Sequence, residues 1–273
     1  MARPFSSALS VAEALVVREA GFTPIAQVMG SCFYQVGWQS MPLGQGGWAP
    51  SMSQGETFEL ETQTDAWNDA RSLALSRLRD EAAAVGADAV VGMRLRRGGY
   101  EWAAGLVEFV AIGTAVRSER YELEDAPVIS HLSGQDFAKL VSHGLWPVGV
   151  VAGSTVAYVV AGWAQQSRAS GLFSGRQNQE LTDYTRGMYD ARALAMERLT
   201  RQAHALHAHG VVGVTIERHE QHRERDRGGT TYRDLIIELH VLGTAIVEVR
   251  HDAPAPAPAP AKYIALPLDR EVP

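Results

Sequence analysis

One stretch of this chain occurs twice, and the repetition constrains the fold more than any other feature. Asp69-Ala-Arg-Ser-Leu-Ala-Leu-Ser-Arg-Leu78 returns as Asp190-Ala-Arg-Ala-Leu-Ala-Met-Glu-Arg-Leu199, with seven of ten positions identical at an offset of 121. Both copies run into Val-Val-Gly (Val90 to Gly92, Val211 to Gly213), and both halves close on Gly-Thr-Ala (Gly113 to Ala115, Gly243 to Ala245). A chain of 273 residues could form one large domain, but the repeat divides it into two of about 115 residues, each large enough for its own core. The boundaries expected from it are a tail over 1–9, a first domain over 10–118, a linker over 119–130, a second domain over 131–250 and an Ala/Pro-rich tail over 251–273.

Each half reads as a short helix followed by β-α-β-β. Ser10 and Glu13 form a capping box closed by Gly21, and Ser133, Asp136 and Gly144 repeat the pattern. A strand follows, Pro24 to Val36 and Pro147 to Val159, with Gly30 and Gly153 six residues after the proline. A glycine inside a strand marks a bulge or a close backbone approach. Long loops are expected next, over 37–55 and 162–179. The central helices, about 64–85 and 185–206, carry the stripes Trp67, Ala70, Ala74, Leu78, Ala82, Val85 and Met188, Ala191, Ala195, Leu199, Ala203, Leu206. That spacing buries one helical face. A hairpin closes each half, turning at Gly98–Gly99 in the first and through a polar excursion, His219 to Thr231, in the second. A three-stranded sheet of this kind has two open edges and one helix-covered face, so the rest calls for partners.

Charge and cysteine content narrow the function. A net charge of −6 gives no electrostatic reason to expect nucleic acid. The single cysteine, Cys32, excludes an internal disulfide and suits the cytoplasm; it is expected to be a small core residue. Residues 144–167 are uncharged, but Gly149, Gly153, Gly162 and many valines suit a buried strand and not a membrane span.

Ala84-Val-Gly-Ala-Asp-Ala-Val-Val-Gly92 after an amphipathic helix, with a hairpin ending Val110-Ala-Ile-Gly-Thr-Ala-Val116, resembles the YbjQ-like family, whose domain is commonly labelled heavy-metal-binding. The resemblance covers both halves, although the run has become His207-Ala-His-Gly-Val-Val-Gly213 in the second. It implies a dodecin-like α+β domain in tandem, a homo-oligomeric ring, commonly pentameric in the family, and no established enzymatic chemistry. The uncharged strands then supply expected interface residues: Phe33, Tyr34, Trp38, Val156, Tyr158 and Trp163.

No catalytic constellation or phosphate-binding glycine loop stands out. The leading expectation is therefore a non-enzymatic scaffold without a cofactor. Beyond the Ala-Pro repeat, Tyr263, Ile264, Leu266 and Leu268 form an apolar peptide that reads either as a tethered segment docking a partner protein or as a frayed tail. The alternative is a protein that binds a divalent transition metal through His204, His207 and His209, where helical spacing puts the first two on one face. Against it, polar residues at a helix C-terminus also complement the helix dipole. The matched Arg71 and Arg192, beside Asp69 and Asp190, are candidates for ion pairs between subunits or for a solvated surface.

Overall fold

In the computed structural model of the chain, residues 6–37, 55–99, 105–121, 126–162, 180–227 and 230–248 are described. Trp38, Trp163, Tyr263, Ile264, Leu266 and Leu268 lie outside them. The elements run α1 (Val11–Glu19), β1 (Phe22–Gln35), β2 (Thr57–Glu59), α2 (Glu61–Ala84), β3 (Ala89–Gly99), β4 (Leu106–Ser118), β5 (Val128–Ile129), α3 (Gly134–Ser142), β6 (Leu145–Val159), α4 (Thr182–Ala205), β7 (Gly210–Arg227) and β8 (Thr230–Glu248). The fold is mixed α+β, with the β-α-β-β order expected in each half.

The two sheets are not built from one half each. One has the order β1-β4-β3-β5 and the other β2-β6-β8-β7. Strand β2, from the first half, pairs antiparallel with β6 of the second. Strand β5, which lies inside the expected linker, pairs parallel with β3 of the first half. Each half thus lends a short strand to the other, and the expected three-stranded sheets become four-stranded. The lent pieces satisfy edge hydrogen bonds that would otherwise stay open to solvent.

The repeated motifs have matching structural roles. Gly92 and Gly213 sit at φ +67° and +64° in register shifts of β3 and β7, where a side chain would be strained. A Cβ on Gly113 or Gly243 would come within 2.4 or 2.5 Å of the Val90 or Val211 methyl across the ladder. Val-Val-Gly and Gly-Thr-Ala are therefore two sides of one packing contact. Gly30 and Gly153 mark a close approach and not a bulge: a Cβ at either would lie 2.1 Å from a helix carbonyl, Ala74 O or Ala195 O. The bulges in those strands fall near Pro24 and Pro147.

The capping box at Ser10 and Glu13 forms, and Ser133 caps α3 by accepting from Asp136 N–H. Two hairpin expectations need correction. Gly98 and Gly99 continue β3 and do not turn. The polar excursion is no loop: β7 and β8 remain paired from Gly210–Ile246 out to Arg227–Thr230. Residues 219–224 of β7 are exposed at the sheet edge and are polar throughout, so alternation of hydrophobicity does not reveal them, although their β8 partners from Asp234 to Glu238 are buried.

Candidate functional site

The junction between the halves is built by α2. Its expected stripe packs on its own sheet, with Ala70, Ala74, Leu78 and Ala82 fully buried. A second face, Thr64, Asn68 and Arg71, lies against β6 of the other half. Val156 N–H donates to Thr64 Oγ1 (2.9 Å), Ser154 N–H donates to Asn68 Oδ1 (3.1 Å), and Arg71 donates to Ser154 Oγ, Asn68 Oδ1 (2.6 Å) and Ala152 O. Helix α2 is thus sandwiched between two sheets, while α4 covers the far face of the second sheet.

Charge and aromatic contacts reinforce the junction. Arg97 of β3 pairs with Glu238 of β8 at 2.6 Å, with the carboxylate almost wholly buried, and its guanidinium stacks over Trp67. Arg198 of α4 reaches Glu59 of β2 at 2.9 Å. The Trp67 ring stacks on His240 at 4.8 Å, and His240 Nδ1 pairs with Ser154 Oγ. Burial, together with the positive charges of Arg97 and Arg71, pushes the His240 pKa down to about 3, so the ring is neutral. Burial and the charge of Arg198 bring Arg71 down to about 10, which leaves it a cation at neutral pH. Arg71 is thus no surface ion-pair residue; Arg192, its counterpart, is exposed.

The segment that donates β5 is latched by the second half's Gly-Thr-Ala. Thr244 Oγ1 receives His131 N–H and contacts Ser130 Oγ, while the outer edge of the segment reaches Gly92 and Met93 of β3. The first half repeats the latch: Thr114 Oγ1 receives Ala8 N–H and contacts Ser7 Oγ. Nothing in the residues' composition separated these threonines from ordinary strand residues; only their equivalence in the repeat does.

The expected interface residues divide between buried and open positions. Val156 and Tyr158 are not on a free surface but buried inside the internal junction; Tyr158 O–H donates to Asp234 at 2.7 Å. Their strand lies between two helices, so it was apolar for reasons internal to the chain. Tyr34 is half-buried and reaches Asp69. Phe33, the counterpart of Val156, is 57% exposed.

His204, His207 and His209 are all exposed. Among the described residues no three or more His, Cys, Asp or Glu side chains are grouped as a metal ion would require. Two of the three have roles that the first half assigns to other residues. His207 takes the left-handed helix-end conformation (φ +51°) that Gly86 takes at +70°. His209 Nδ1 accepts Glu248 N–H at 3.0 Å, as Asp88 accepts Ser118 N–H at 2.7 Å. Cys32 is buried against α2. No described helix is long and apolar enough to cross a membrane.

Comparison with known proteins gives the duplicated architecture its family. A family model described as "Putative heavy-metal-binding" (YbjQ-like) matches residues 51–119 and 147–249. The chain belongs to the YbjQ-like family. It is 37% identical over 218 residues to the "Encapsulin nanocompartment protein Rv1762c" of Mycobacterium tuberculosis, covering 78% of this chain and 77% of that protein. It is also similar to UPF0145 proteins of Clostridium perfringens (45% over 58 residues) and Archaeoglobus fulgidus (46% over 59 residues). Each of those matches covers 53% of the relative and about a fifth of this YbjQ-like chain.

Proposed function

We propose that this protein is a non-catalytic structural component that assembles head to tail with copies of itself into a closed ring. The observation that carries this reading is where its exposed apolar residues fall. Val11, Leu15, Met29 and Phe33 are exposed on the first half; their repeat counterparts Gly134, Ala138, Ala152 and Val156 are buried at the internal junction. Leu181, Tyr189, Val214 and Ile216 are exposed on the second half; their counterparts Leu60 and Met93 are buried, and Asn68 and Leu95 are half-buried at the junction. The chain therefore carries two unused, complementary surfaces, one of each kind, at opposite halves.

The charges match as well. The internal pairs Arg97–Glu238 and Glu59–Arg198 have the counterparts Arg218 with Glu108 and Glu180 with Arg77. Opposite signs recur at both places, so the junction inside one chain is a template for the contact between two. A contact that joins unlike surfaces is heterologous, and it closes into a ring when its rotation allows. Each chain brings two halves, so a ring of whole chains holds an even number of them. A five-chain ring would contain ten halves, whereas five halves cannot be made from whole chains.

The name of the Mycobacterium tuberculosis relative supports association with a protein nanocompartment. The C-terminal peptide, with Tyr263, Ile264, Leu266 and Leu268, is the proposed contact to such a partner. The test is a charge exchange on the full chain. Arg218→Glu should lower the native mass to smaller species, and adding Glu108→Arg should restore it. A double variant no larger than the single one would count against this geometry.

A further inference from the structure

A cavity of about 40 Å³ lies in the internal junction, lined by Arg71, Leu95, Thr215, Glu217, His240 and Leu242 among others. Three features give it a definite chemistry. The Arg71 guanidinium is buried, and its protein acceptors are all neutral: a hydroxyl, an amide oxygen and a main-chain carbonyl. No described carboxylate lies within ion-pair distance of it. Beside it, His240 Nε2 is buried and makes no hydrogen bond. A buried cation without a counter-charge is costly, and so is a buried ring nitrogen without a partner. Both costs fall on the wall of one cavity.

We infer that this cavity binds a small monovalent inorganic anion of the halide class, held by Arg71 at the junction of the two halves. The volume exceeds the roughly 10–15 Å³ that one water needs, yet is too small for a carboxylate-bearing metabolite. Apolar walls from Leu95 and Leu242 favour a weakly hydrated ion. Glu217, exposed at the outer wall on β7, forms no ion pair with Arg71 and opposes the anion by like charge. The site belongs to this junction alone. At the equivalent places on the open surfaces the repeat puts Val110 for His240, Tyr189 for Asn68 and Met188 for Trp67. The inference stands whether or not the chain forms a ring, because every lining residue comes from one chain.

The test compares thermal unfolding of the full chain in sodium chloride and in sodium gluconate at equal ionic strength, with chloride titrated at constant total salt. The expected result is a saturable, chloride-specific rise in Tm. Glu217→Gln should lower the half-saturating chloride concentration about five-fold. Arg71→Met should abolish the chloride effect. Equal Tm values in the two salts would overturn the inference, as would a chloride effect that survives Arg71→Met. If Arg71→Met does not fold, Glu217→Gln decides: an unchanged half-saturating concentration overturns the site. Broadening of the ³⁵Cl resonance by wild type, reduced by excess nitrate, gives a second reading independent of stability.

Discussion

Helices α2 and α4 are 24 residues each and arise from the same repeat, yet they live in different surroundings. Helix α2 buries two faces, one on its own sheet through Ala70, Ala74 and Leu78, the other on the second half through Thr64 and Arg71. Helix α4 buries only the first of these, through Ala191, Ala195 and Leu199, and leaves Tyr189 and Arg192 in solvent. The strands differ in the opposite sense: β6 is buried on both faces over its last nine residues, while β1 buries alternate residues. One half uses its helix outward, the other its sheet. The difference teaches that a duplicated domain can carry both sides of its own assembly contact, one used within the chain and one left over.

Paired substitutions break this comparison most directly. Val156→Asp puts a charge into a fully buried junction position and should cost more than about 4 kcal/mol, unfolding the chain in a denaturant titration. Phe33→Asp, at the matching open position, should leave the unfolding midpoint of the isolated chain nearly unchanged and act on native mass instead. Equal destabilisation by the two would remove the distinction between the ends.

Salt bridges come next. Arg97→Gln strands Glu238 in the interior, and removing one partner of a buried pair costs about 3–5 kcal/mol. Arg218→Gln, its exposed counterpart, should change chain stability by about 0.5 kcal/mol or less. Chemical denaturation of both variants in the same buffer checks the contrast.

Acid should weaken the internal junction through His240. The ring is held neutral in the fold by burial, whereas the unfolded chain protonates it near its ordinary value. The unfolded state therefore binds the extra proton below about pH 6.5, and stability falls as pH drops from there toward 3. His240→Gln should flatten that part of the pH–stability curve. An unchanged slope would mean that His240 is not held neutral by the fold.

The smallest effects concern caps and surface histidines. Ser10→Ala should cost about 1 kcal/mol by removing the helix cap and its capping box. The triple change of His204, His207 and His209 to Ala should shift stability mainly through His207 and His209, by about 1 kcal/mol. Calorimetric titration of zinc, nickel and copper into wild type and this triple variant should give equal heats; heat lost in the variant would favour the metal reading instead.

Much of this was legible in the sequence, and the reasons differ by element. The helix stripes, the caps and the Gly30 and Gly153 contacts rest on local spacing, which a sequence displays. The exchange of β2 and β5 does not: Thr57–Glu59 and Val128–Ile129 are too short to carry a periodic signal, and their partners lie in the other half. Val156 and Tyr158 were legible as buried surfaces but not as surfaces buried within one chain. Arg71 is the opposite case. Its type suggests solvent, and only the second face of α2 explains its burial. His207 and His209 are candidate ligands by their spacing from His204, whereas the backbone roles they share with Gly86 and Asp88 become visible only when the two halves are laid on each other.

The most direct measurement is the mass of the wild-type chain in solution, by light scattering at micromolar concentration and by native mass spectrometry. Unlike ends left open on every molecule should drive the chain into a discrete oligomer of several copies, and Phe33→Asp should reduce it to smaller species. A wild-type mass equal to a single chain, unchanged by Phe33→Asp, would contradict the account.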